Sequence, residues 1–277
     1  MVYIKSKEEI SAIRAGGKIL ARILRRLIGE VRPGKDTAEL EAVLVQLITE
    51  AGGRPSFKDY PMGDGVYFPS ALCASINEEV VHGAAIPGRI LEEGDVIDLD
   101  IGMEWPVLPE LRQELGLPSN LNSPAGGFYT DMCATVAVGE VSAEAKKLIE
   151  VTRRCLEEGI KKVRPGARLN DIGEAVQKIA EGAGYGVVRD MVGHGVGYYA
   201  HEDPDVFHYR INPRSSANVM LEPGMVICIE PMINAGTHRI TVADNGYTIL
   251  SADHSLSAHF EHTIAVTDNG HKVLTVE

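Results

Sequence analysis

The sequence predicts an α+β fold, a curved antiparallel sheet covered by two pairs of helices, with two halves related by a pseudo-twofold. Three observations carry this. Four amphipathic segments with helical spacing fall into two pairs. The tetrapeptide Val31-Arg32-Pro33-Gly34 returns as Val163-Arg164-Pro165-Gly166, 132 residues later, inside the second pair. Short strand-like runs joined by tight turns fill the rest of the chain.

Residues 7–30 place Ile10, Ile13, Ile19, Leu20, Ile23 and Leu27 at three- and four-residue steps, with Arg and Lys between them. Val31-Arg32-Pro33-Gly34 stops this helix. Residues 37–51 put Leu40, Val43, Leu44, Leu47 and Ile48 on one face and end at Gly52-Gly53. Residues 143–162 repeat the first pattern (Ala145, Leu148, Ile149, Val151, Leu156, Ile160), and 169–182 repeat the second, ending near Gly184. Pro-Gly after a helix is ordinary punctuation, but two helices and a tetrapeptide at one common offset point to a duplicated helix-turn-helix. Residues 1–277 then form one domain with halves at about 1–140 and 141–277.

The strand-like runs are Ala71 to Ile76, Val96 to Ile101, Phe128 to Val138, Val187 to Val192, Met225 to Met232, Arg239 to Val242, Tyr247 to Ser251 and His259 to Val266. Turns such as Asp244-Asn245-Gly246 suit antiparallel pairing. Met103 to Ser123 contains the only tryptophan and several prolines, and reads as an inserted loop with one helical turn around Pro109–Leu115.

A net charge of −12 argues against a general nucleic-acid binder and against a polybasic membrane-surface protein. The N-terminus has no apolar core of a signal peptide, and no run is apolar for long enough to span a membrane. Cys73, Cys133, Cys155 and Cys228 are widely spaced without a CxxC, which suits buried reduced thiols in a reducing compartment.

Four apolar runs carry carboxylates: Asp98 and Asp100, Asp131, Glu230, and Glu261. One acid in such a run often faces solvent from the polar side of a strand. Four runs in succession need another account, because unpaired buried carboxylates cost several kcal/mol each and these runs hold no matching Lys or Arg. Asp100, Asp131, Glu230 and Glu261 together carry the charge that two divalent cations balance. A histidine would complete an oxygen-rich site suited to Co, Mn, Fe or Zn. The stretch Gly193-His194-Gly195-Val196-Gly197-Tyr198-Tyr199-Ala200-His201-Glu202-Asp203-Pro204 presents two histidines among glycines, and His194 is the candidate. HExxH, HxxEH, a P-loop, a dinucleotide fingerprint and GxSxG are all absent.

These residues give the chain its resemblance to type I methionine aminopeptidases, within the wider group that has the pita-bread fold. The matching text is Ser75-Ile76-Asn77-Glu78 leading to Val81-His82-Gly83, Gly94-Asp95 through Asp100, Thr130-Asp131, the His194–Pro204 stretch, Leu221-Glu222-Pro223-Gly224-Met225 through Glu230-Pro231, and Ser257-Ala258 through Glu261-His262-Thr263. The resemblance implies two divalent metal ions held by Asp100, Asp131, His194, Glu230 and Glu261, with Asp131 and Glu261 bridging. It implies an acidified water that attacks the scissile carbonyl, with Glu230 taking its proton. His201 would stabilise the tetrahedral intermediate, and His82 would contact the substrate near the scissile amide. Phe68, Cys73 and Tyr247 fall where the methionine pocket is expected. The implied setting is protein maturation: a cytoplasmic monomer acting on N-terminal segments of nascent polypeptides at the ribosome, without direct nucleic-acid or membrane binding.

Gly102, Ala200 and Tyr247 depart from residues frequent in that group, which bears on the pocket rather than on the chemistry. Xaa-Pro peptidases of the same fold are the alternative, but Glu261-His262-Thr263 favours the methionine enzyme. A non-catalytic binding relative is a further alternative, disfavoured because all five ligands and both His82 and His201 are present. Type II enzymes are set aside because only 35 residues lie between His194 and Glu230.

Overall fold

A computed structural model of the chain describes residues 1–63 and 65–277. Helix α1 (Lys7–Ile28) opens on a capping box in which Ser6 and Glu9 satisfy each other's backbone amides. Helix α2 (Thr37–Glu50) is capped by Asp36, whose carboxylate accepts from the Ala38 amide. Leu20, Leu24, Leu27, Leu40, Leu44 and Ile48 of the two helices join one core with Ile97, Leu99 and Ile101. The strand that supplies those last residues, Val96–Trp105, is buried along its whole length. It lies between antiparallel Leu72–Ile76 and Phe128–Ala137.

Helices α4 (Ala143–Ile160) and α5 (Leu169–Gly182) cover a second sheet. Its order is Glu202–Val206, Gly193–Gly195, Val226–Ile229, His262–Thr267, Gly270–Val273, all antiparallel. The four helices match the sequence expectation to within two residues at each end. Ile28 and Ile160, Thr37 and Leu169, and Glu50 and Gly182 keep the 132-residue offset.

Hydrogen bonds recur with the helices. Gly34 N donates to Leu91 O at 2.8 Å, and Gly166 N to Leu221 O at 2.9 Å. Gly94 N donates to Val138 O at 2.9 Å, and Gly224 N to Val266 O at 3.0 Å. The sheets meet where Ala134 bridges Phe260. There the Thr135 hydroxyl both donates to His259 O and accepts from His259 N, each at 2.8 Å.

Two strand runs differ from their expected course. Met225 to Met232 splits into Val226–Ile229 and Met232–Asn234, and His259 to Val266 begins earlier and splits into Ser257–His259 and His262–Thr267. The outer pieces pair with each other and the inner pieces pair with each other, so both ladders break at one level. Glu230 and Glu261 occupy those breaks. Val187 to Val192 yields only the short strand Gly186–Val187.

The expected insertion at 103–123 starts later than its sequence suggested. Met103, Glu104 and Trp105 stay in the central strand because they pair with Arg54–Pro55 and with Phe128–Thr130. Beyond Trp105 the loop carries helix α3 (Pro109–Leu115), as expected. It is more than a surface excursion: Leu111 and Leu117 pack on the core, and Asn120 is buried. Trp105 is buried and donates from Nε1 to Ala51 O at 2.8 Å. All four cysteines are buried and unpaired. Among the described residues no helix is long and apolar enough to cross a membrane.

The C-terminal segment presses on α1. A Cβ added at Gly17 would fall 2.6 Å from the Leu274 carbonyl oxygen. Gly→Ala inside a helix ordinarily stabilises by up to about 1 kcal/mol. Here Gly17→Ala is expected to destabilise by about 1–3 kcal/mol, because a backbone contact must give way. A denaturant midpoint that rises in Gly17→Ala would contradict this packing.

Candidate metal centre

Side chains on a strand alternate between faces, so Asp98 and Asp100 share one face of Val96–Trp105. The neighbouring strand adds Asp131, in register with Gly102. Glu230 and Glu261 come from the two ladder breaks and His194 from Gly193–Gly195. All five expected ligands line one cavity of about 220 Å³, as do His82, His201, Phe68 and Cys73. Tyr247 is not in its wall. It stands edge-on behind Phe68, with ring centroids 5.5 Å apart.

Asp100, Asp131 and Glu261 offer oxygens that all lie within 4.8 Å of one another, and His194 and Glu261 meet the same limit together with Cys228. His194 Nε2 is 3.4 Å from Glu230 Oε1. The His194 Nδ1 contact with Gly195 O, at 2.8 Å, places the ring proton on Nδ1 and leaves the Nε2 lone pair facing the carboxylates. Asp100 Oδ1, Asp131 Oδ1, Glu230 Oε1 and Glu261 Oε1 are buried without any hydrogen-bond partner. Orphaned carboxylate oxygens converging beside an imidazole lone pair are the donor set that a divalent metal requires. The residues fit the group.

The electrostatics agree. Burial, with help from Asp98 and Glu230, lifts the Asp100 carboxyl to about 8 against the opposing effect of His259. Burial, then neighbouring carboxylates, raises Asp131 and Glu261 as well. Glu230 is shifted the other way: burial pushes it up, but the imidazoles of His259, His194 and His208 around it outweigh that. A carboxyl whose folded pKa is raised binds its proton more tightly in the native state, so stability falls as pH rises from the unfolded value to the folded one. Below about pH 6.5 the buried histidines His201, His208 and His262, whose pKa values are lowered, oppose this trend; above it, without metal, the protein is expected to lose about 2 kcal/mol of stability between about pH 6.5 and pH 8. Melting curves after chelation check this, and a midpoint that climbs across that window would contradict it.

Sequence reasoning gave no role to three buried residues here, Asp98, His208 and His259. His259 Nδ1 is 3.3 Å from Asp98 Oδ2, and its Nε2 is 3.6 Å from Glu230 Oε2. His208 Nε2 accepts from the Glu230 amide at 3.0 Å, which puts its own proton on Nδ1. The signal for Asp98 and His259 was available: each stands two residues before an expected ligand, the spacing that puts two side chains on one side of an extended run. Nothing in the sequence marks His208.

The other two expected histidines, His201 and His82, face the same cavity. The His201 ring lies 4.4 Å from the His194 ring and 4.9 Å from the Tyr60 ring. It opens onto the cavity, yet the protein around it and the neighbouring His194 push its pKa down, so it is neutral at pH 7. His82 adopts a left-handed backbone, φ 60°, and its carbonyl accepts from the Thr248 hydroxyl at 3.0 Å. Phe57, Tyr60, Met62 and Phe68 complete an apolar wall between these histidines.

Comparison with known proteins agrees with this geometry. The profile of metallopeptidase family M24 matches residues 11–106 and 123–268, leaving out most of the inserted loop. A methionine aminopeptidase of Clostridium perfringens is 40% identical over 278 residues, covering 100% of this chain and 99% of its own. Methionine aminopeptidase 1 of Bacillus subtilis is 40% identical over 280 residues, covering 99% of each. The crystal structure of a methionine aminopeptidase from Thermotoga maritima superposes with a TM-score of 0.86 at 36% identity, covering 100% of both chains. A prolidase from Pyrococcus horikoshii, 23% identical with a TM-score of 0.72, shares the fold over 99% of this chain and 64% of its own.

Proposed function

The chain belongs to metallopeptidase family M24, and on that premise we propose that it removes the N-terminal methionine from polypeptides whose second residue is small. One observation carries the reading: orphaned buried carboxylate oxygens line a cavity whose other lining is apolar and sulfur-containing. An unbranched thioether side chain suits the space between Phe57, Met62, Phe68 and Cys73.

Asp100, Asp131, His194, Glu230 and Glu261 would hold two divalent ions, with Co, Mn, Fe and Zn all compatible with an oxygen-rich set. When bound, such a pair supplies positive charge that polarises the scissile carbonyl and acidifies water. Glu230 takes the proton of the attacking water, held for that task by His208 behind its amide and by His259 beside its carboxylate. Neutral His201 donates a hydrogen bond to the oxyanion as charge develops there. His82 meets the substrate next to the scissile amide. We take the substrate to be the N-terminus of a nascent chain, met at the ribosome in the cytoplasm by a monomeric enzyme that is one catalytic domain.

Release of methionine from the peptide Met-Ala-Ser, with Mn, Fe or Co supplied and an Xaa-Pro peptide alongside, tests the reading. Methionine release that stops on chelation is expected. Cleavage of the Xaa-Pro peptide alone would replace the proposal with the prolidase activity of the distant relatives.

A further inference from the structure

We propose that Lys5 is a positioning residue for His201, acting through Glu202. The inference rests on the role given to His201 above.

The Lys5 ammonium and the Glu202 carboxylate form an ion pair in which neither side chain is more than 1% exposed. A buried pair of this kind is weak evidence for stability, since its desolvation offsets most of its attraction. What it fixes is geometry. One oxygen of Glu202 faces Lys5, while the other accepts from the backbone amides of Tyr198 and Tyr199, the latter at 3.0 Å. The carboxylate thus closes the turn 198–202, and His201 is the residue immediately before it.

Lys5 is itself held. Its amide donates to Gly224 O at 2.8 Å. Its ammonium lies 5.6 Å from the centre of the Tyr3 ring and 5.2 Å from that of Tyr198. Its stem crosses Gly197, where an added Cβ would fall 2.9 Å from Lys5 Cε and where φ is 137°. That third glycine of the histidine stretch therefore makes room for Lys5 and not for a metal or a substrate.

Other segments grip the same turn. Tyr129 N donates to Gly197 O at 2.9 Å, and Asn120 of the inserted loop donates to Tyr198 O at 2.9 Å. Tyr198 OH donates to Glu9 Oε2 at 2.8 Å. Lys5 supplies the one cation among these grips, and Glu202 is the one anchor adjacent in sequence to His201.

The test uses Lys5→Met in the full-length, metal-loaded enzyme with Met-Ala-Ser as substrate. A displacement of about 1 Å at a catalytic group can cost about 100-fold, so kcat is expected to fall about 10- to 100-fold. KM and metal content should stay within about threefold of the parent, and Lys5→Arg should restore most of the loss. In a His201→Ala background, Lys5→Met should change kcat by less than about twofold, because the residue it positions is gone. A purely structural role would lower kcat by the same factor in both backgrounds, and that result overturns the proposal. So does a loss expressed in KM or in metal content, or no loss at all. If Lys5→Met does not accumulate as folded protein, the pair Lys5→Met/Glu202→Gln removes both buried charges and carries the same expectations. Failure of the parent enzyme to release methionine would overturn the reading of the site instead, which keeps the two outcomes apart.

Discussion

Asp131→Asn is expected to lose both its metal and more than about 10³-fold in peptidase activity, while its metal-free form melts at a higher temperature than the metal-free parent. Asp131 is 4% exposed, with Oδ1 unpartnered and the Glu261 and Asp100 carboxylates beside it. That arrangement is favourable only around a cation. Asparagine nearly preserves the shape and removes the repulsion, so the empty site relaxes by about 1–3 kcal/mol. Elemental analysis of the purified variant and calorimetry after chelation read the two halves of the expectation separately. Full metal occupancy in Asp131→Asn would remove it from the ligand set. An unchanged apo midpoint would mean that its charge is neutralised in some other way.

His201→Ala separates binding of metal from turnover. The ring lies tilted against both His194 and Tyr60 and takes no part in the cluster of orphaned oxygens. Metal content should therefore match the parent. Turnover should not: removing one donor to a developing oxyanion costs about 10²–10³ in kcat. Because the imidazole is already neutral at pH 7, the residual activity should keep the parent's acidic limb, which belongs to groups other than His201. Metal loss in His201→Ala would make it a ligand and not a donor.

The helices were readable in the sequence because their apolar residues recur at three- and four-residue steps and Pro33-Gly34 and Pro165-Gly166 stop them locally; the structure adds caps at Ser6, Asp36 and Ser142. The carboxylates of the candidate site stood out because an acid inside an apolar strand is costly wherever the strand ends up. The same signal has a limit, visible in Glu104. It lies in the strand that carries Asp100 and is fully buried, yet it is satisfied by Arg54, the Ser123 hydroxyl and the Gly127 amide. Its cation comes from a strand 50 residues earlier, and pairing over that distance is a product of the fold, not of local pattern. The coincident ladder breaks at Glu230 and Glu261, and the backing of Glu230 by His208, were unreadable for the same reason. Each depends on segments distant in sequence meeting at one level.

Trp105 has a consequence for spectroscopy. It is the sole tryptophan, and it is packed where the end of the central strand meets Gly16 of α1 and the carbonyl after α2. Tryptophan emission excited at its red edge therefore reports only the first helical pair and its sheet. Loosening around α4 and α5 would pass unseen in that signal and would surface only in far-ultraviolet dichroism or hydrogen exchange. Coincidence of the emission and dichroism transitions is then a direct measure of whether the two halves melt together.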